Sequence, residues 1–258
     1  MTFRKHEKFP SKVLQNERDL VVYLPPGYEE QPVRRFPVLY LHDGQNLFDG
    51  STAFVPGNDW KVGQTADQVI GSGAVDPLII VGIYNLGEHR IREYTPTRVP
   101  KLGGGRADSY GKFLIHELKP FIDREYRTLG DSANTGLGGS SLGGLVSLYV
   151  GLKFPQVFGR LAALSPSVWW NQRVMHRFAA TAQVEPRPHV WLDIGTGEGP
   201  QILHDVENFR DVLVKKGWHP DGDLHYERVE GAEHNEAAWS QRVGPVLQFL
   251  FPAGDKKV

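Results

Sequence analysis

Two runs in this chain are apolar without alternation: FPVLYLHDG at 36–44 and PLIIVGIYN at 77–85. A strand with one wet face alternates with period two, whereas a strand covered on both faces reads as a short continuous apolar run. Such strands belong to a parallel sheet packed between helices, and the rest of the chain supplies that pattern. RDLVVYLP at 18–25 is rich in β-branched residues and closes on the turn signal Pro25-Pro26-Gly27. Further strands are expected at 133–139, 160–165, 188–194 and 224–230. Residues 108–126 carry Phe113, Leu114, Leu118, Phe121 and Ile122 at helical spacing behind a candidate cap, Asp108, with Pro120 bending the helix. Other helices are expected at 142–152, 201–216 and 236–250. The alternation predicts an α/β fold with a mostly parallel central sheet and helices on both faces. One domain over 1–258, without a separate lid domain, accounts for all of it. Ligands of such sheets bind outside the carboxyl ends of the strands, so residues just after each strand are the candidates for function.

Composition narrows the chemistry. The formal net charge of −1 argues against nucleic acid or an anionic membrane as partner. No stretch approaches the roughly 18 apolar residues of a transmembrane helix. Zero cysteines exclude disulfides, thiolate catalysis and cysteine-ligated zinc. The N-terminal MTFRKHEKFP lacks the apolar run of a signal peptide, which points to the cytoplasm.

The stretch NTGLGGSSLGGLVSLY at 134–149 lies between a strand and a helix. Gly139-Ser140-Ser141-Leu142-Gly143 is a full G-x-S-x-G with Ser141 central; centring on Ser140 would put Leu142 in the last glycine position. This pattern is the nucleophile elbow, a tight turn that presents a serine where strand becomes helix. Glycines two residues to either side remove side chains that would collide there. The Leu142 N–H, at the positive end of the helix, would face a developing oxyanion. A phosphate-cradling loop would carry G-x-x-x-x-G-K-[ST], and no lysine follows until Lys153.

A serine nucleophile needs a base, and in this type of fold the base comes last in the order Ser, acid, His. Of the histidines after Ser141, His176 and His204 fall on helical stretches, His189 starts a strand, His219 is at the wrong end of the sheet, and His225 is inside a strand. His234, in GAEHNEAAW, follows a strand and precedes a helix, and is the candidate base. The acid belongs after the strand HVWLDIG, where Glu198 in GTGEG is favoured over Asp205, Asp193 and Glu207; a dyad without an acid is the other option. A second oxyanion donor is expected after the strand at 36–44, with the Gln45 N–H as candidate and Gly44 making the turn. His42 and Asp43 lack a third ligand at metal-binding spacing, so no metal and no cofactor are expected. Trp169 or Trp170 should edge the pocket, and the aperiodic stretch 85–107 should form a wall of it. Trp169, Arg92 and Asn46 are the candidate substrate contacts, with Arg98 as an alternative to Arg92.

With these residues in view, the chain resembles the putative-esterase family of α/β-hydrolases, which includes esterase D-like, enterochelin-esterase-like, feruloyl and acetyl xylan esterases and the antigen 85 acyltransferases. The matching pieces are VYLPPGY (22–28), FPVLYLHDGQNLFD (36–49), REYTP (92–96), GLGGSSLGGLVSLY (136–149), LSPSVWW (164–170) and GAEHNEAAW (231–239). The resemblance implies the α/β-hydrolase fold, Ser141 as nucleophile, His234 as base, and Gln45 and Leu142 as oxyanion donors. It leaves the acid and the substrate open. The expected activity is hydrolysis of a small or a sugar- or aromatic-linked carboxylic ester. Acyl transfer to a sugar alcohol and a non-catalytic binding role are the alternatives.

Overall fold

The computed structural model describes residues 1–220 and 222–254. Ten strands run in chain order as β1 (Thr2–Ser11), β2 (Asn16–Leu24), β3 (Val38–His42), β4 (Ile79–Ile83), β5 (Arg98–Val99), β6 (Gly103–Gly104), β7 (Thr135–Ser140), β8 (Arg160–Leu164), β9 (His189–Gly195) and β10 (Leu224–Val229). The helices are α1 (Val62–Gly71), α2 (His89–Tyr94), α3 (Ala107–Phe113), α4 (Lys119–Glu125), α5 (Leu142–Lys153), α6 (Trp170–Thr181, left-handed at Asn171–Arg173), α7 (Pro200–Lys215), α8 (Glu236–Ser240) and α9 (Val243–Leu250).

Eight strands form one sheet in the order β1-β2-β4-β3-β7-β8-β9-β10. From β4 to β10 every pairing is parallel; β1 and β2 join antiparallel at one edge. The central strands are buried on both faces, as their unbroken apolar runs require. In β3, Val38 and Tyr40 enter the larger core with α3, α5, α6 and α7, while Leu39 and Leu41 enter a second core under α1 and α9. Alternation survives as a choice between two apolar layers rather than between core and water.

Three segments depart from the sequence expectation. The stretch 108–126 is not one bent helix: α3 and α4 are joined by a π-helical turn at Leu114–Leu118, where Lys119 N–H reaches back to the Leu114 carbonyl. Pro120 has no N–H to give, and the looser turn places it in the first turn of α4, where none is needed. The helix expected over 236–250 is interrupted between Ser240 and Val243. The wall at 85–107 contains α2 and the β5–β6 ribbon. Inside it, both carboxylate oxygens of buried Glu93 accept from the one Nη2 of Arg18, at 2.9 and 3.0 Å, so Glu93 serves packing.

Candidate active site

The carboxyl ends of β3, β7, β8 and β9 and the loop after β10 converge on one rim. Ser141 sits between β7 and α5 with φ 56 and ψ −121, a conformation that L-residues adopt only when their surroundings enforce it. The enforcement is visible. Ser141 N–H donates to the Leu164 carbonyl, and its own carbonyl accepts from Leu145 and Ser167 N–H groups, all at 3.0 Å. A Cβ on Gly139 would lie 3.1 Å from His42 Cβ, and one on Gly143 would lie 3.2 Å from Asp43 Oδ2. The two glycines therefore let the elbow press against the end of β3. Gly136 has a packing role that spacing does not reveal, since a Cβ there would meet Leu39 and Phe251. Ser140 is buried in β7, whereas Ser141 is partly exposed; its Oγ lies 3.3 Å from Ser167 Oγ and is not hydrogen-bonded to His234.

Glu198 ends a 3₁₀ turn (Thr196–Glu198) that follows β9 directly. Its Oε2 lies 2.6 Å from His234 Nδ1. Its Oε1 accepts from the Gly195 N–H at 2.9 Å and from the Ser165 hydroxyl at 2.5 Å. Burial alone would raise the Glu198 pKa, but the hydrogen bonds from His234, Ser165 and Gly195 outweigh it and hold it below the ordinary glutamate value. An ionised carboxylate only accepts, so Nδ1 of His234 carries a proton, and in the neutral imidazole Nε2 is the nitrogen with the lone pair. The His234 ring stands edge-on to buried Trp239 at 4.9 Å between centroids.

The loops bearing Glu198 and His234 are pinned together. Gly197 N–H donates to the Ala232 carbonyl at 3.0 Å, and Gly231 N–H to Thr196 Oγ1 at 2.8 Å. A Cβ on Gly195 would collide with that same Ala232 carbonyl. Gly195→Ala is therefore expected to push the loops apart and lower ester turnover by at least about tenfold, the cost of a small misplacement of reacting groups. The check is kcat measured beside the melting temperature; unchanged kcat would show that loop spacing does not matter.

The other candidate acids and bases have different partners. Asp205 pairs with Arg173 at 2.6 Å and with Gln201 at 3.2 Å. Asp193 is within β9 and pairs with Arg242 at 2.6 Å. Glu207 lies 3.7 Å from Arg228. His176 bonds the Asp205 carbonyl, and His225 stacks on Trp191 at 4.2 Å.

On the neighbouring rim, the positive φ after β3 falls at Asp43 (φ 59), not at Gly44. Gly44 is needed for proximity, since a Cβ there would lie 2.7 Å from the Gly82 carbonyl carbon of β4. Asp43 is fixed by a fork from Arg90, with Nε and Nη2 each donating at 2.8 Å, and by Asn85 Nδ2 at 2.7 Å. His42 Nδ1 pairs with Tyr110 at 3.1 Å, and burial lowers its pKa to about 3, so it stays neutral. Gln45 is held through its side chain, which accepts the Asn85 N–H at 3.2 Å, and its N–H belongs to the first turn of the 3₁₀ helix Gly44–Asn46. The first N–H groups of such a turn, and that of Leu142 at the start of α5, have no acceptor within their own helix. Asn46 is buried and its Oδ1 accepts the Phe54 N–H at 2.8 Å, so its side chain shapes the loop. Trp169 is 39% exposed, while Trp170 is buried and donates to the Thr97 carbonyl at 3.0 Å. Arg92 and Arg98 are exposed and make no ion pair among the described residues. No group of three metal-ligating side chains occurs among the described residues.

Residues 11–250 match the model of a family described as putative esterase. The chain belongs to the putative-esterase family. It is accordingly a carboxylic-ester hydrolase with an α/β-hydrolase fold. Among curated relatives, the uncharacterized protein YjcH of Bacillus subtilis is 29% identical over 258 residues, covering 96% of this chain and 97% of its own. The endo-1,4-beta-xylanase/feruloyl esterase of Xylanibacter ruminicola is 27% identical over 235 residues, 89% of this chain but 29% of the relative. The enterobactin esterase of Shigella flexneri, solved with enterobactin, superposes with a TM-score of 0.80 at 19% identity. That superposition covers 97% of this esterase and 58% of the Shigella chain, so this chain spans little more than half of it. No helix among the described residues is long and apolar enough to cross a membrane.

Proposed function

We propose that this family member hydrolyses its ester through an acyl-enzyme on Ser141, with His234 as base, Glu198 as the acid that orients it, and the N–H groups of Gln45 and Leu142 as the oxyanion hole. The observation that carries the proposal is the 2.6 Å contact between His234 Nδ1 and Glu198 Oε2, made by two loops on the rim that also presents Ser141. Ser141 Oγ turns from Ser167 to His234 Nε2, which takes its proton as Oγ attacks the ester carbonyl. Such contacts commonly tighten only once substrate is bound. The oxyanion forms against the Leu142 and Gln45 N–H groups. His234 then passes the proton to the departing alkoxide. Water, deprotonated by the same imidazole, releases the acid and regenerates Ser141. All parts come from one domain.

The substrate we propose is a small ester with an aromatic group. Feruloyl and 2,3-dihydroxybenzoylserine groups, named with relatives and fold neighbours, both carry an aromatic ring. Trp169, the exposed indole on this rim, offers such a ring a flat face. Arg92 lies free on the wall to meet an acidic substituent. Trp169→Ala is expected to lower kcat/KM for a feruloyl ester by about tenfold, the value of one aromatic pair, and to leave an alkyl acetate, which carries no ring, little changed. Equal losses on both substrates would exclude stacking. Product analysis with glycerol or trehalose present tests the acceptor: free acid alone is expected, and an acylated sugar would make the enzyme a transferase.

A further inference from the structure

We propose that Ser165 is a positioning residue for the acid: its hydroxyl, held by Arg242 and Trp239, fixes the Glu198 carboxylate so that Oε2 is presented to His234. The proposal rests on the reading of Glu198 as the acid. A serine hydroxyl offers two acceptor sites and one proton. Trp239 Nε1 donates to Ser165 Oγ at 3.1 Å, and Arg242 Nη1 donates to it at 3.0 Å. Indole and guanidinium can only donate, so both acceptor sites are filled and the single proton has one place to go. That place is Glu198 Oε1, at 2.5 Å. With the Gly195 N–H also on Oε1, the carboxylate cannot rotate without losing two bonds, and Oε2 is left for His234.

The holder is itself anchored. Arg242 is buried, and the same Nη1 donates to Asp193 Oδ1 at 2.6 Å. Asp193 is fully buried and also accepts from Trp191 Nε1 at 2.8 Å and from the Ser165 N–H at 3.0 Å. One guanidinium therefore balances a carboxylate behind the site while pointing a hydroxyl at the carboxylate inside it. Ser165 has φ 44, a left-handed backbone that serine adopts at a cost. That strain is the reason for glycine as the test residue.

The experiment is a double-mutant cycle on p-nitrophenyl acetate with Ser165→Gly, Glu198→Gln and the pair. Glycine is at ease at this φ, so the fold is retained, and Ser165→Ala repeats the measurement with Cβ kept. Losing a hydrogen bond to a charged group is expected to lower kcat about 10- to 100-fold with KM unchanged. The downfield proton resonance of His234 Nδ1–H should shift or broaden. In the Glu198→Gln background the serine change should cost little more, because the carboxylate it orients is gone. Wild-type kcat in Ser165→Gly, or losses that multiply in the pair, would overturn the role of Ser165 while Glu198→Gln stays impaired. Wild-type turnover in Glu198→Gln would instead overturn the acid, and this proposal with it.

Discussion

Ser141→Ala is expected to lower turnover of p-nitrophenyl acetate by about 10⁶-fold, the scale on which removal of an activated serine acts. The change deletes one atom. Among the described residues, Ser141 Oγ has a single side-chain partner, Ser167 at 3.3 Å, so little structure depends on it. The backbone that makes the elbow is held by main-chain bonds to Leu164, Leu145 and Ser167, which alanine keeps. Alanine also suffers no more than serine at φ 56. The melting temperature should stay within a few degrees of wild type. Undiminished turnover in a folded variant would remove Ser141 from the chemistry.

Glu198→Gln is expected to cost roughly 10²- to 10⁴-fold in kcat, the upper end being the loss known when the acid of a triad becomes an amide. The reason lies in the donors around it. Glu198 accepts from His234, Ser165 and Gly195 and donates to none. An amide has one acceptor oxygen and one NH₂ group. If its oxygen faces Ser165 and Gly195, its NH₂ faces His234 Nδ1, and the imidazole proton must move to Nε2, where the lone pair for Ser141 is needed. If the amide flips, its NH₂ opposes the Gly195 N–H and the Ser165 hydroxyl. Neither orientation keeps the active tautomer and a satisfied site. Asp205→Asn is the control. Its partners are Arg173 and Gln201, so kcat should be unchanged. The reverse pattern, a large loss in Asp205→Asn and none in Glu198→Gln, would move the acid to α7.

The central strands were legible because burial on both faces leaves few polar residues to confuse the pattern. Val38–His42 and Ile79–Ile83 could be little else. The edge strand β1 was not legible. Its residues, TFRKHEKFPS, are mostly exposed, and an edge strand gains from charges that discourage further pairing. Helices α1 and α2 are short and take their register from tertiary packing rather than from a long apolar stripe.

Within the site, Ser141, His234 and Glu198 stood out because each follows a strand and carries a residue type with known chemistry. The structure joins His234 to Glu198 by a hydrogen bond. The support behind them was hidden for a physical reason. Ser165, Asp193 and Arg242 come from separate segments, and only the sheet order β7-β8-β9 and the turn into α9 bring them together. No local spacing records such a meeting. The Arg90 fork on Asp43 was hidden in the same way, although Arg90 lies beside Arg92 in a stretch already expected to wall the site.

The most direct test of Ser141 as an activated nucleophile is covalent trapping. A fluorophosphonate reacts with a serine whose proton a neighbouring base removes, and peptide mapping by mass spectrometry locates the adduct. One phosphonyl group on Ser141 is expected in the wild-type enzyme, with none in Ser141→Ala and slower labelling in Glu198→Gln. An unlabelled wild-type protein, or an adduct on any residue other than Ser141, would contradict the mechanism.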